Sequence, residues 1–365
     1  VSVAVLHLIS SRSLFGAERV VLSLCKELIK LNVPVYLGVI DAFSERNALV
    51  DEAVNEGIEV LKLVSKWPLD FSARRYLVDF IKDNRISVVH SHNYKANFFA
   101  WSSRLGVPWV VTEHTWGGKD LKAMFYEALD KRVVCFADAV VGVSENLLDD
   151  FRKAFIPSAK CMVIYNGIEL MPSDGVAGLP CVSSDVFTFG FIGRWSVEKN
   201  VLYLLDVFAR LVRDSDKGFL LRIAGKGPLE GLLRDKIINL GISRFVELVG
   251  FVSPDNVQSF YSSLDCLVLP SKKEGLPMVV LEALAMGRPV AGSFQAVRAV
   301  RDDVAVRQMP IDNISDAAWV LQRLSEDVRQ DPDGFFSRSR ALVENGFSAT
   351  KMARDYLELY KRFSA

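Results

Sequence analysis

Short apolar runs alternate along this chain with longer stretches of helical spacing. Residues 3–9 form the first apolar run; the polar S-S-R-S-L-F-G-A-E-R follows, then a helical pattern over 19–30. Strands are predicted at 34–40, 58–63, 87–90, 109–112, 139–143 and 162–165, with helices at 71–83, 96–103, 121–136 and 145–154 between them. A second series has strands at 186–192, 220–224, 245–250 and 265–269, a helix from about 200 and another over 278–286, then helices at 314–326, 332–344 and 351–363. Apolar runs without polar alternation are strands covered on both faces. Strands alternating with helices imply parallel sheets, whose ligands bind beyond the carboxyl ends of the strands. The loops that follow strands are therefore where chemistry is to be sought.

The two series are separated by residues 171–184, where Pro172, Gly175, Gly178 and Pro180 read as a linker. A chain of 365 residues is too long for one ordinary core, and half of it is hydrophobic, enough to bury two. The expected domains are 1–170 and 185–348. Charge then narrows the function. Forty-four basic and 44 acidic residues cancel, which removes the broad positive field that nucleic-acid binding needs. The five cysteines (Cys25, Cys135, Cys161, Cys181 and Cys266) are odd in number and form no C-x-x-C pair, as in a reduced cytoplasmic protein. Residues 3–9 lack the length and basic flank of a signal peptide, and no run is long enough to span a bilayer. A cytoplasmic location is expected, with any membrane contact made from the surface.

The most informative loop lies in L-D-C-L-V-L-P-S-K-K-E-G-L-P-M-V-V-L-E-A-L-A-M-G-R-P-V, residues 264–290. A buried strand gives way at Pro270 to a loop, Pro277 fits the first helical position, and Gly287 fits the C-cap. A helix starting there exposes the N–H groups of Gly275, Leu276 and Met278 and the positive end of its dipole, an anion site best suited to phosphate. Glu282 lies little more than one turn inside and leans back toward the N-terminus, where a ribose hydroxyl pair would suit it. Glu274 stays in the loop, able to accept hydrogen bonds from sugar hydroxyls. Another strand-to-helix loop, in V-F-T-F-G-F-I-G-R-W-S-V-E-K-N, carries Arg194 and Lys199, a fork and a point charge for one pyrophosphate.

In the first series the loop before the 19–30 helix holds only Gly16, so the G-x-G-x-x-G fingerprint of a dinucleotide fold is absent and a nicotinamide dehydrogenase is disfavoured. G-K-G-P-L-E at 225–230 is likewise incomplete as a phosphate loop. His90, His92 and His114 fall at strand ends and His7 reads as structural. A zinc reading would join the first three with Glu113, but H-x-H plus a remote histidine has neither a second-shell signature nor a cysteine, so no metal is expected. Asp214-Ser215-Asp216 and Asp331-Pro332-Asp333 do not close strands and read as polar loops. Residues 119–132 mix Lys119, Lys122, Lys131 and Arg132 with Met124, Phe125, Tyr126 and Leu129. They suit either an anionic membrane surface or, with Asp120, Glu127 and Asp130 diluting the charge, an ordinary helix whose apolar stripe faces the sheet.

The Glu274-x7-Glu282 stretch, with E-G-L-P between the acids, closely resembles the Glu-x7-Glu motif of family 4 retaining glycosyltransferases of the GT-B fold. R-W-S-V-E-K is similar to that family's G-R-x4-K motif, T-E-H to its sugar-facing histidine loop, and Y-N-G-I-E to its N-G-I-D junction with Glu169 for aspartate. The likeness covers nearly the whole chain. It implies two Rossmann-like doubly wound parallel-sheet domains facing a central cleft, with a C-terminal helix at about 349–365 crossing back onto the first. It implies a retaining, metal-independent transferase that needs no cofactor and takes a nucleotide sugar, UDP-linked, to a hydroxyl of an envelope glycan or lipid-linked acceptor at the inner membrane surface. His114 and Glu274 would face the sugar, Arg194 and Lys199 the diphosphate, Gly275, Leu276 and Met278 the phosphates, Glu282 the ribose and Phe251 the base, with Gly16 allowing close backbone approach. The chain departs from the family at Phe15, where a glycine is usual, and at Gln295-Ala296, which stand for a Gly-Gly pair. Two rivals share the architecture: a nucleotide-sugar epimerase and a catalytically silent nucleotide-sugar-binding subunit.

Overall fold

The computed structural model describes residues 3–11, 16–41, 47–65, 70–114, 121–170, 185–300 and 302–363. The chain divides into two compact units, Val1–Glu169 with Ser348–Ala365, and Leu170–Phe347. The first runs β1 (Val5–Ile9), α1 (Gly16–Lys30), β2 (Val35–Asp41), α2 (Ala48–Asn55), β3 (Glu59–Val64), α3 (Phe71–Asp83), β4 (Val88–Ser91), α4 (Tyr94–Ser103), β5 (Trp109–Glu113), α5 (Leu121–Val133), β6 (Ala139–Gly142), α6 (Glu145–Lys153) and β7 (Cys161–Val163). The second runs β8 (Val186–Ile192), α7 (Val201–Asp214), β9 (Gly218–Ala224), α8 (Glu230–Asn239), β10 (Val246–Gly250), α9 (Val257–Ser262), β11 (Cys266–Leu269), α10 (Met278–Ala285), β12 (Val290–Gly292), α11 (Phe294–Val297), β13 (Val306–Gln308), α12 (Ile314–Gln330) and α13 (Pro332–Gly346). The last helix, α14 (Ala349–Lys361), belongs to the first unit.

The sheets have seven strands in the order β3-β2-β1-β4-β5-β6-β7 and six in the order β10-β9-β8-β11-β12-β13, and every pairing is parallel. Both orders reverse direction beside their first strand, the topology of a doubly wound fold. The central strands are buried throughout: Val5, Leu6, Val88, Val110, Phe189 and Leu267 are each 0 % exposed. That burial explains why they read as unbroken apolar runs. The short helix α2 escapes the apolar pattern because it is set by a cap, Asn47 Oδ1 accepting from the Leu49 and Val50 N–H groups at 3.1 and 3.3 Å. Strands β12 and β13, three residues each, are too short to show a period. Asp331-Pro332-Asp333 is not a loop but the joint between α12 and α13. Asp331 caps α13 by accepting from Gly334 N–H at 3.0 Å, with Pro332 opening the helix.

Helix α14 is tied to the first sheet by polar contacts as well as packing. Tyr360 Oη meets His90 Nδ1 at 2.6 Å, Tyr356 Oη meets Thr112 Oγ1 at 2.8 Å, and Thr350 Oγ1 donates to Glu27 at 2.7 Å. Its entry is fixed at the Asn166-Gly167-Ile168-Glu169 junction, where Ile168 bridges Ser348 and accepts from Ala349 N–H at 2.9 Å. Glu169 reaches Lys26 of α1 at 3.0 Å. A Cβ on Gly167 would lie 2.5 Å from the Ser348 carbonyl and 2.7 Å from Ala349 backbone, so glycine is needed there for approach rather than for a left-handed turn. Gly167→Ala is accordingly expected to lift the start of α14 and to cost about 1–3 kcal/mol, the usual range for overpacking. Urea unfolding with limited proteolysis of the C-terminal helix measures it, and an unchanged midpoint and cleavage pattern would disprove this account.

Candidate active site

In the second unit three strand-to-helix loops interlock at the carboxyl edge of the sheet. Gly193 N–H donates to the Ala224 carbonyl at 3.2 Å, Trp195 N–H to Lys226 at 3.0 Å, and Gly225 N–H to Gly250 at 2.7 Å. Trp195, 1 % exposed, is the plug, its main-chain carbonyl accepting from Leu229 N–H at 3.2 Å. A Cβ on Gly225 (φ +129°) would meet the Gly193 carbonyl at 1.9 Å, and one on Gly227 the Trp195 carbonyl at 2.3 Å. G-K-G-P is thus an interlocking backbone surface that holds the Arg194 loop in place.

That loop and the one after β11 bring the predicted charges together. Lys199 Nζ lies 2.5 Å from Glu274 Oε1, both side chains largely buried, and the Lys272 N–H donates to the Glu198 carbonyl at 2.8 Å. Arg194 is exposed on the same loop. Helix α10 begins at Met278, as the apolar pattern has it, but Pro277 is not its first helical residue. Pro277 is its N-cap, in extended conformation (φ −72°, ψ 119°), and its carbonyl accepts from Val280 N–H at 3.0 Å. Gly275 and Leu276 precede it in the loop, Leu276 buried at 6 %, and Met278 is the first helical residue, half-buried. Met278 N–H therefore heads the helix with no preceding turn to accept it. Glu282 follows one turn on, and Tyr261 Oη of α9 donates to its Oε2 at 2.6 Å. Phe251, beyond the left-handed Gly250 (φ +77°), is 67 % exposed and adds no contact to these groups.

Where the family carries paired glycines, Phe294–Val297 form the short helix α11. Ser293 caps it, accepting from Ala296 N–H at 3.2 Å while donating to the Ser271 carbonyl at 2.5 Å. Ala296 is 1 % exposed and Gln295 half-buried. Tyr261, Trp195 and Ser293 were not found by sequence reasoning. Tyr261 lies 21 residues before its partner, and nothing in its helix marks it.

The first unit holds Gly16, exposed as the first residue of α1, and His114, just past β5; Phe15 lies outside the described residues. All four histidines of the chain converge here. His7 and His90 are register partners on β1 and β4. His92 meets His7, Nε2 to Nδ1, at 2.9 Å, and the His114 ring lies 5.8 Å from that of His92. Burial drives every ring toward the neutral form: His7 is pushed down to about 3, His114 to about 4, and His90 and His92 well below the ordinary value. His114 Nε2 is enclosed and has no hydrogen-bond partner among the described residues. Glu113 does not join the histidines. It turns to the other face, where Asn97 Nδ2 donates to Glu113 at 2.8 Å and to Asp130 at 2.9 Å. Burial first, and the Asp130 charge second, hold the Glu113 carboxyl well above the usual carboxylate range. Asp130 and Val133 are the buried residues on the described part of α5, so Phe125, Tyr126 and Leu129 are not what it turns to the sheet. Phe125 is 68 % exposed, and Tyr126 and Leu129 are exposed beside it. Lys119 and the side chains of Lys122 and Met124 lie outside the described set.

Two family descriptions match the chain in sequence order, Glycosyltransferase Family 4 over residues 16–171 and Glycosyl transferases group 1 over 186–327. The chain belongs to this glycosyltransferase family. Its relatives include an O-antigen biosynthesis glycosyltransferase, WclY, of Escherichia coli, 24 % identical over 371 aligned residues and 97 % of each chain. A Campylobacter jejuni α-1,4-N-acetyl-D-galactosaminyltransferase, whose named acceptor is a diNAcBac-PP-undecaprenol glycan, is 27 % identical over 287 residues, 74 % of this chain and 73 % of its own. Among solved structures, a glycosyltransferase of Rickettsia africae superimposes with a TM-score of 0.79 at 18 % identity over 100 % of this chain and 99 % of its own. Anabaena HepE, in complex with UDP and glucose, gives 0.76 at 18 % over 99 % and 100 %. The glycosyltransferase thus has the GT-B fold.

The interlock makes one substitution decisive for the second unit. In Gly225→Ala the new methyl cannot coexist with the Gly193 carbonyl, so the melting temperature should fall and the Arg194 loop should lose its place. Phe251→Ser, at an exposed side chain on a neighbouring loop, should change stability by no more than about 0.5 kcal/mol, the scale of a surface substitution. Thermal melts of the two variants side by side check this, and equal melts would refute the interlock.

Proposed function

We propose that this glycosyltransferase is retaining and metal-independent, moving a sugar from a UDP-sugar to a hydroxyl of a growing envelope glycan or lipid-linked acceptor. The observation that carries the reading is the Lys199–Glu274 pair beside the start of α10, with Glu282 held one turn further on. Cation, helix dipole and exposed guanidinium together can offset a diphosphate without a metal ion. An incoming diphosphate competes with Glu274 for Lys199, which would turn the released carboxylate toward sugar hydroxyls. Tyr261 keeps one Glu282 oxygen fixed, presenting the carboxylate to a ribose. Arg194 and Lys199 would stabilise charge growing on the departing phosphate, the largest single contribution such a site can make. The rest of the work is positioning. UDP is favoured by the complex of the Anabaena structure, and a lipid-linked glycan acceptor by the undecaprenol-linked acceptor for which the Campylobacter relative is named.

The resemblance assigns His114 to the sugar. A neutral imidazole with an unpartnered Nε2 suits a hydroxyl better than a phosphate. Exposed Phe125, Tyr126 and Leu129 with Arg132 suit peripheral contact with an anionic membrane; co-sedimentation with anionic vesicles tests this, and equal pelleting of Phe125→Ser would count against it. A silent UDP-binding subunit is the second reading, favoured by the closed α11 turn at Gln295-Ala296. It binds UDP but yields no product in a donor and acceptor panel, whereas an epimerase yields a changed sugar without acceptor.

Two measurements test the main reading. UDP should raise the melting temperature in excess chelator, and a shift that disappears with chelator would make the site metal-dependent. Glu282→Ala should weaken UDP by roughly ten- to a hundredfold, since a hydrogen bond to a charged group contributes about 1.5–3 kcal/mol. His114→Ala should leave UDP affinity almost untouched while turnover falls. Parental transfer by His114→Ala would remove it from the reaction.

A further inference from the structure

The histidine cluster lies between the first sheet and α14, and its hydrogen bonding is only half used. His90 is saturated: Nδ1 meets Tyr360 Oη at 2.6 Å and Nε2 meets Thr112 Oγ1 at 2.7 Å. His7 and His92 each spend one nitrogen on the other, and His7 Nε2 and His92 Nδ1 are buried without a partner among the described residues. One ring nitrogen from each of His7, His90 and His92 lies within 4.8 Å of the others. The spacing of the closest two, 2.9 Å, is nearly that of ligands on one ion. Tetrahedral zinc with bonds of about 2.0–2.1 Å separates its nitrogen ligands by about 3.3 Å.

We propose that His7, His90 and His92 form a zinc-class divalent-metal site that ties the first sheet to the C-terminal helix. The three rings come from fixed positions: His7 and His90 opposite one another in register, and His92 two residues on from His90, hence on the same face. All three are buried, at 0, 0 and 4 % exposure. Neutral imidazole is the form that ligates, and a set of three imidazoles without thiolate or carboxylate suits zinc, copper or nickel rather than magnesium or calcium. An anion is disfavoured, because among the described residues the recorded partners of the three rings are one another and the neutral hydroxyls of Tyr360 and Thr112. Opening the His7–His92 contact by about 0.4 Å admits the ion at the ligand spacing just given. The proton shared in that contact moves to the other nitrogen of its ring. To ligate, His90 gives up the hydroxyl on one nitrogen and keeps the one on the other, the outer hydrogen bond that orients metal-bound histidines. Water fills the fourth position.

His7 was not among the residues that the zinc reading of the sequence joined, and Glu113, which was, faces away. The site is separate from Lys199, Glu274 and Glu282, all in the second unit, and does not depend on the function proposed above.

Cobalt(II) is the probe. Added to the full chain after chelator treatment and removal, it should bind one equivalent with the intense visible band of tetrahedral nitrogen coordination, and zinc(II) should displace it. His92→Gln and His7→Gln should each weaken binding at least a hundredfold, and Tyr360→Phe by about ten- to a hundredfold, the usual effect of removing an outer partner. X-ray absorption at the zinc edge on the unsubstituted protein should show imidazole nitrogen at about 2.0–2.1 Å. That measurement stands even if His7→Gln does not fold. No bound equivalent at micromolar cobalt, full binding by His92→Gln, or sulfur in the zinc shell overturns the proposal.

Discussion

Every strand pairing in this protein is parallel, and that constraint governs the rest. A parallel strand cannot be joined to the next by a tight turn, so each connection crosses over through a helix and each strand ends at the same edge of its sheet. Loops that carry chemistry are therefore collected without any special device. His92, His114, Arg194, Gly225, Phe251 and Glu274 all follow the carboxyl end of a strand. Buried peptide groups at such an edge must still find partners. In the second unit they find one another: the loops after β8, β9 and β10 exchange hydrogen bonds around Trp195, and glycine is required wherever two backbones touch. A rigid platform results, and it is this platform that carries Arg194 and Lys199.

The pairing of Lys199 with Glu274 has consequences beyond local stability. Two partly buried charges would each be costly alone, and together they hold their loops at fixed separation. A ligand anion need not organise the cation, because it is already positioned; it has only to displace a carboxylate. Tyr261 does the same for Glu282. Preorganisation of this kind lowers the ordering cost of binding, which otherwise absorbs much of the contact energy.

The fold was legible because buried parallel strands are unbroken apolar runs: β8 and α3 match the sequence pattern to the residue. Elements set by something other than hydrophobic period were not. Helix α2 depends on the Asn47 cap, and β12 and β13 are too short to show alternation. The charges of the site were legible as motif spacing, since Arg194, Lys199, Glu274 and Glu282 keep a fixed order relative to strand ends. Their supports were invisible. Tyr261, Tyr356 and Tyr360 act across helices, and no local pattern reveals which residue a tertiary contact will select. His7 shows the same limit, because its partners are 83 and 85 residues away and become neighbours only through strand register. The stripe on α5 was misleading for a related reason. A buried Asp130, held by Asn97, outweighs the apolar pattern in deciding which face turns inward.

The two units meet the same problem with opposite chemistry. At the second sheet edge the candidate groups are charged, and Lys199, Glu274 and Glu282 are pinned by an ion pair or a short hydrogen bond; at the first they are four imidazoles that burial shifts toward the neutral form. Neutral groups cannot offset the charge of a diphosphate, but they can discriminate among hydroxyls, where an unmatched partner is costly. Charged groups have the converse ability. Under the function proposed above, the charged edge of the second unit would therefore suit the diphosphate and the neutral edge of the first a hydroxyl-bearing group.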